Sequence, residues 1–218
     1  MTTDWTCVML RHRGGRASRE PRPAVFLDRD GVLIENRDAY VRRRADVALI
    51  PGAVDAVCRL GEVRDVVIVT NQAVIGRGLV PAEEILAIHR SVVDELEAAG
   101  ARIVGSVVCP HEPAARCACR KPEPGMLLAA AQAWGCRPEG GWMVGDALTD
   151  VQAGAAAGCR TMLVRTGRGA AHEQDTRRSH PDCVVVPSLP LGLDELLAEP
   201  APGGHGTWTT AFPGTVID

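Results

Sequence analysis

Ala24-Val25-Phe26-Leu27-Asp28-Arg29-Asp30-Gly31-Val32-Leu33 is the stretch that decides the fold. A run of apolar residues broken by two acids and a glycine reads as a buried strand whose carboxyl end opens into a loop. Alternation along an extended chain places Asp28 and Asp30 on one side and Arg29 on the other, and Gly31 lets the backbone turn away. Taken alone, the two acids are equally well a solvated strand end. Three further apolar runs end in the same manner, at Thr70-Asn71-Gln72, at Arg120-Lys121-Pro122, and at Gly145-Asp146 with Asp150 close behind.

Between these points strands alternate with helices. Residues 66–69, 103–108, 142–144, 162–164 and 183–186 are expected strands. Residues 53–60, 81–99 and 124–134 are expected helices, with a short helix of alanines and glycines capped by Thr149 or Asp150 and a last one at 193–197. Such alternation specifies an α/β fold with a doubly wound, mostly parallel sheet, whose ligands bind at the carboxyl ends of the strands. All the polar motifs fall at those ends. With 218 residues and 46% hydrophobic content the chain can bury one substantial core. The expected organisation is a basic, disordered extension at 1–23, one domain at 24–198, and a loose tail at 199–218. The extension carries Arg11, Arg13, Arg16, Arg19 and Arg22 between glycines and prolines.

A net charge of -3 gives no general attraction to nucleic acid or to an acidic membrane. No stretch approaches a membrane span, and Cys7-Val8-Met9-Leu10 is too short for a secretory signal, so a cytoplasmic protein is expected. The eight cysteines divide in two. Cys58, Cys136, Cys159 and Cys183 stand singly among apolar residues, as reduced cysteines do. Cys109, His111, Cys117 and Cys119 supply three thiolates and an imidazole within eleven residues, the donor set of a closed, structural Zn²⁺ site. That metal would stiffen the loop delivering Arg120 and Lys121.

Asp28-Arg29-Asp30-Gly31-Val32, Thr70, Lys121, and Gly145-Asp146 with Asp150 resemble, in order and spacing, the four signature motifs of the haloacid dehalogenase (HAD) superfamily of phosphohydrolases. The resemblance covers residues 24–197. It implies a Mg²⁺-dependent phosphatase in which Asp28 is the nucleophile that becomes an aspartyl-phosphate and Asp30 is the general acid and base. Thr70 and Lys121 would hold the phosphoryl oxygens, and Mg²⁺ would sit on the Asp28 carboxylate, the Asp30 carbonyl and Asp146. Oxygen donors with two carboxylates suit that ion, and the ion removes the repulsion between a carboxylate and a phosphate ester. Asp150 would orient Lys121 or the metal shell, or serve only as a helix cap.

The 40 positions from Asp30 to Thr70 and the 51 from Thr70 to Lys121 leave no room for a separate cap domain, so the site is expected to be open and the chain a monomer. The capless, zinc-looped form resembles two families within the superfamily, heptose bisphosphate phosphatases of activated-heptose biosynthesis and histidinol-phosphate phosphatases. Thr70-Asn71-Gln72 running into Ile75-Gly76-Arg77-Gly78, with Leu163-Val164-Arg165-Thr166-Gly167, favours the first. The partner is then a small phosphorylated sugar. Asn71 and Gln72 would contact it, and Arg77, Arg120 and Arg165 would take its second phosphate, or be solvated surface arginines. The polar loop 35–44, with Tyr40 among four arginines, leaves directly from the two acids. Other readings are a transferase using the same residues and an inactive, zinc-stabilised binding module.

Overall fold

The computed structural model describes residues 7–12, 22–198 and 214–217. Its strands are β1 (Cys7–Arg11), β2 (Pro23–Leu27), β3 (Asp65–Asn71), β4 (Ile103–Cys109), β5 (Arg137–Gly145), β6 (Arg160–Val164), β7 (Val184–Val186) and β8 (Gly214–Ile217). Its helices are α1 (Ala53–Val63), α2 (Ala73–Gly76), α3 (Ala82–Ala98), α4 (Gly125–Trp134), α5 (Leu148–Ala156), α6 (Gly169–Ser179) and α7 (Leu193–Leu197). The strands form one sheet in the order β7-β6-β5-β2-β3-β4-β1-β8. Every pairing is parallel except β1 with β4.

The apolar continuity of β2 has a direct cause. Val25 and Leu27 pack into a core with α1, α3 and α7, whereas Ala24 and Phe26 pack into a second core with α4 and α5. A strand covered on both faces has no position left for a polar residue. In β3, Val66 and Ile68 face the first core and Val67 and Val69 the second. Leu27 lies opposite Ile68 on one side and Val144 on the other, so the three strands end at one level, where Asp28, Thr70 and Gly145 emerge. The small residues of α5 let it approach the sheet. A Cβ on Gly154 would stand 2.4 Å from that of Met143.

Two segments expected outside the domain join its sheet. Cys7–Arg11, placed by composition in the disordered extension, pairs with the edge of β4 and buries Cys7, Met9 and Leu10. Gly214–Ile217, placed in the loose tail, pairs with β1. Five and four residues are too few for a period to be read from sequence, and what recruits β1 is the open edge of β4. Residues 1–6, 13–21, 199–213 and 218 of those expected segments lie outside the described residues. Helix α6 was not expected either, because His172-Glu173-Gln174-Asp175 and Arg177-Arg178 leave it almost no apolar stripe. Among the described residues no helix is long and apolar enough to cross a membrane.

Just beyond β1, His12 bonds Ser106 Oγ through Nε2 at 2.7 Å and lies 6.3 Å, ring to ring, from His89 of α3. His89 is fully buried, and neither ring nitrogen has a hydrogen-bond partner among the described residues. Burial, aided by Arg29, His12 and Arg90, holds it neutral, well below the usual imidazole range. Burial also pushes His12 down to about 4, against Asp94. The unfolded chain binds more protons here, so this stability is complete above about pH 6.5 and falls as the pH drops. Unfolding by urea at pH 7 and pH 5 should show the parent losing about 1–2 kcal/mol more than His89→Leu. Carboxylates raised by burial act in the opposite direction and cancel in that difference.

Candidate active site

Lys121 organises the carboxyl ends of the strands. It is 2% exposed, and its Nζ lies 2.7 Å from Asp150 Oδ1, 3.0 Å from Asp28 Oδ1 and 3.0 Å from the Val69 carbonyl oxygen. Its main chain is fixed from the β3 side, since Asn71 Nδ2 donates to Lys121 O at 3.1 Å and Lys121 N donates to Asn71 Oδ1 at 3.2 Å. Burial works against the ammonium, but the Asp150 and Asp28 carboxylates outweigh it and hold its pKa above the ordinary lysine value. Asp150 also accepts the Ala147 N–H through Oδ2 at 2.9 Å, closing the first turn of α5. The lysine partner and the helix cap, read from sequence as alternatives, are both present in the one residue.

Asp28, Asp146 and Asp150 bring three buried carboxylates within 4.8 Å of one another. Burial pushes Asp28 up to about 8 against Lys121, and pushes Asp146 up to about 6 with Asp150 adding to it. One ammonium does not balance three carboxylates in a dry site. Asp146 Oδ2 accepts the Arg168 N–H at 2.8 Å, while its Oδ1 is buried with no partner among the described residues. A Cβ on Gly31, which has φ +85°, would meet Asp146 Oδ2 at 2.2 Å, so only glycine lets the two segments close up. An excess of negative charge together with an orphaned carboxylate oxygen fits a hard divalent cation on Asp28 and Asp146.

Asp30 stands beside this cluster with a different set of partners. Arg29, expected on the opposite side of the strand, folds back and forks onto it. Its Nε donates to Oδ2 at 3.2 Å and its Nη2 to Oδ1 at 3.1 Å and Oδ2 at 3.0 Å. Gln72 Nε2 donates to Asp30 Oδ2 at 2.8 Å and to Thr70 Oγ1 at 2.9 Å. The fully buried Arg29 is one residue the sequence did not point to, because alternation describes a strand and the chain has already left β2.

The four N/S donors also converge. Cys109 Sγ lies 3.5 Å from His111 Nδ1, 3.7 Å from Cys117 Sγ and 3.4 Å from Cys119 Sγ, and Cys119 Sγ lies 3.3 Å from the imidazole and 3.5 Å from Cys117 Sγ. Tetrahedral ligands about 2.0–2.3 Å from one Zn²⁺ would be separated by roughly these distances. The hydrogen bond from Cys119 pulls Cys109 down to about 5 against burial, and the same bond raises Cys119. The loop braces the site by two main-chain bonds, Gln72 N to Cys109 O at 2.7 Å and Gly76 N to Pro110 O at 2.8 Å.

A cavity of about 380 Å³ opens over Asp28, Asp30, Thr70 and Lys121. Its other walls are Asn36, Arg37, Tyr40 and Val41 from loop 35–44, Asn71 to Ala73, Pro113, Arg120 and Pro122 beside the Zn-type cluster, and Thr149, Arg168 and His172 around α5 and α6. Asn71, Gln72 and Arg120 thus line it. Arg77 and Arg165 do not: Arg77 bonds the Tyr40 hydroxyl, and Arg165 pairs with Glu173 at 3.1 Å. The lining arginines are instead Arg37, Arg120 and Arg168. Arg37 and Arg168 lie in loops, where no period points a side chain.

Comparison with known proteins agrees with this geometry. Residues 118–190 match the HAD-hydrolase-like family model. A D-glycero-beta-D-manno-heptose-1,7-bisphosphate 7-phosphatase of Pseudomonas putida is 37% identical over 163 residues, 74% of this chain and 91% of that protein. One from Rhodopseudomonas palustris is 41% identical over 150 residues, 65% and 83% of the two chains. Among solved structures, a D,D-heptose 1,7-bisphosphate phosphatase from Bordetella bronchiseptica, complexed with magnesium and phosphate, aligns with a TM-score of 0.74 at 35% identity. It covers 80% of this chain and 98% of that one. The enzyme from Burkholderia thailandensis aligns at 0.62 and 30% identity, covering 81% and 99%.

The charge balance around Lys121 is measurable without substrate. Lys121→Met, which keeps the volume and removes the cation, should lower the urea unfolding free energy by about 3–5 kcal/mol in buffer without Mg²⁺. Added Mg²⁺ should return more stability to the variant than to the parent.

Proposed function

The chain belongs to the D-glycero-beta-D-manno-heptose-1,7-bisphosphate 7-phosphatase family of HAD-like hydrolases, and from that footing we propose the course of its reaction on the 7-phosphate ester of that sugar. The observation that carries the reading is the cluster of Asp28, Lys121, Asp146 and Asp150, of which all but the fully buried Asp146 line a cavity that also holds Asp30 and Thr70. A divalent cation on the Asp28 and Asp146 carboxylates and the Asp30 main-chain carbonyl would supply the positive charge that lets a carboxylate approach a phosphate ester.

Asp28 attacks phosphorus in line. The bond from phosphorus to the sugar oxygen breaks, and the aspartyl-phosphate forms. Asp30 gives its proton to the departing alkoxide, then takes one from the water that cleaves the aspartyl-phosphate and releases inorganic phosphate. Its Oδ2 is occupied by Arg29, Gln72 and Thr70, and Oδ1 meets only Arg29 Nη2 among the described residues, so Oδ1 is the oxygen left for proton exchange. Lys121 and the Thr70 hydroxyl bind the transferring phosphoryl oxygens, and Asp150 keeps the Lys121 ammonium aimed at Asp28. Arg120, anchored by its bond to His111 O at 3.1 Å, contacts the part of the sugar phosphate that leaves.

The Cys109, His111, Cys117 and Cys119 cluster holds a structural Zn²⁺, supported by its donor spacing and by its position one turn before Lys121. The relatives named above favour the heptose bisphosphate over histidinol phosphate. The intact catalytic set argues against a binding module, which has no use for it.

With Mg²⁺, phosphate release from heptose 1,7-bisphosphate should exceed that from histidinol phosphate by about 100-fold in kcat/KM. Asp28→Asn should fall by roughly 10⁴-fold. A preference for histidinol phosphate would overturn the substrate assignment. Elemental analysis of protein purified without chelator should find one zinc per chain, and Cys119→Ser should lower both the zinc content and the thermal midpoint.

A further inference from the structure

Tyr40 is the only tyrosine in the chain, and it lines the catalytic cavity. Its backbone has φ +65°, a region that a bulky side chain rarely enters and that persists only where surrounding contacts impose it. Those contacts are present. Tyr40 N donates to Arg37 O at 3.1 Å, and Arg42 Nε donates to Ala39 O at 2.7 Å, folding the loop on itself. Arg77 Nη1 donates to the Tyr40 hydroxyl, and its guanidinium lies 5.7 Å from the ring centroid. Arg77 caps α2, which Gly76 ties to Pro110 beside the Cys109 cluster, so the anchor is braced by the same loop that carries Lys121.

We propose that Tyr40 determines which leaving group the open site accepts, and that Arg77, which does not touch the cavity, is the positioning residue that holds the ring in its wall. The inference rests on the phosphatase reading above. The floor of the site recognises only the phosphoryl group, which every phosphomonoester shares, so selection must come from the surrounding loops. With its hydroxyl oxygen accepting from Arg77, the Tyr40 ring offers the cavity a carbon surface for the C–H face of a sugar. Neighbouring Asn36 and Arg37 supply polar contacts on the same loop. The strained φ is the physical sign that this placement is selected, since a loop serving only to connect would put glycine or asparagine there.

Two measurements test it. In the first, kcat/KM for the bisphosphate is divided by that for acetyl phosphate, whose leaving group has two carbons. The ratio should fall at least tenfold in Tyr40→Ala and Arg77→Ala, mainly through KM. Tyr40→Phe should match Arg77→Ala, Arg77→Lys should recover part of the ratio, and the Tyr40→Phe/Arg77→Ala double variant should be no worse than either single. Equal losses on both substrates would reduce the pair to a structural contact and overturn the proposal, as would additive effects. In the second, 3-fluorotyrosine gives a single ¹⁹F signal at Tyr40. In the Asp28→Asn background the signal should shift with bisphosphate and not with inorganic phosphate. No shift, or the same shift with both, overturns the proposal. Should the parent prefer another phosphomonoester, the heptose assignment fails, while the same ratio measured on that ester still decides the role of Tyr40.

Discussion

The ammonium of Lys121 between Asp150 and Asp28 is the contact on which the rest of the structure depends. Burying ions is costly, and a pair repays the cost only when its geometry is fixed and its remaining hydrogen-bonding capacity is met. The sheet meets both conditions. The Val69 carbonyl takes a third proton of the ammonium, Asn71 holds the lysine backbone by both of its polar ends, and Asp150 is locked by the first turn of α5. Three carboxylates outnumber the one ammonium, and the Asp146 oxygen without a partner among the described residues is where a divalent cation would fit.

That geometry is delivered by a loop with no apolar core of its own. From the end of β4 to α4 the buried side chains are Cys109, Cys117, Cys119 and Lys121, with no large apolar residue among them. Three converging sulfurs and an imidazole hold the turn before Lys121, and main-chain bonds from Gln72 and Gly76 lash the β3 end to the same loop. The end of β3 and the 120–122 turn, which the proposed reaction uses to hold the phosphoryl group, are therefore tied to the same loop. The residues around the mouth have fewer constraints. Loop 35–44 is exposed along most of its length and is pinned at a few points, among them the bond from Arg77 to Tyr40. The proposed reaction thus uses the more tightly bonded part, and the proposed discrimination the loop with fewer contacts.

Arg29 shows how neighbouring sequence positions acquire separate roles. Asp28 faces Lys121, whereas Asp30 is forked by Arg29 and bonded by Gln72. Two carboxylates two residues apart thus sit in unlike surroundings, as the roles proposed for them, nucleophile and acid–base group, require.

By itself, the sequence determined the alternation of strands and helices, the parallel sheet, and the emergence of Asp28, Thr70, Lys121 and Asp146 at its carboxyl edge. Those features rest on local periodicity and on apolar runs that only a doubly covered strand can bury. The spacing of Cys109, His111, Cys117 and Cys119 was legible for the same reason, because donors at most ten positions apart need no distant partner to converge. Only the tertiary structure decided that Cys7–Arg11 completes the sheet, since five residues become a strand through the open edge they find. It also decided that Arg77 and Arg165 stand away from the cavity while Arg37, Tyr40 and Arg168 line it. Loop side chains follow no period, and their direction is set by hydrogen bonds to segments far away in sequence, as Arg77 does for Tyr40 across 37 positions.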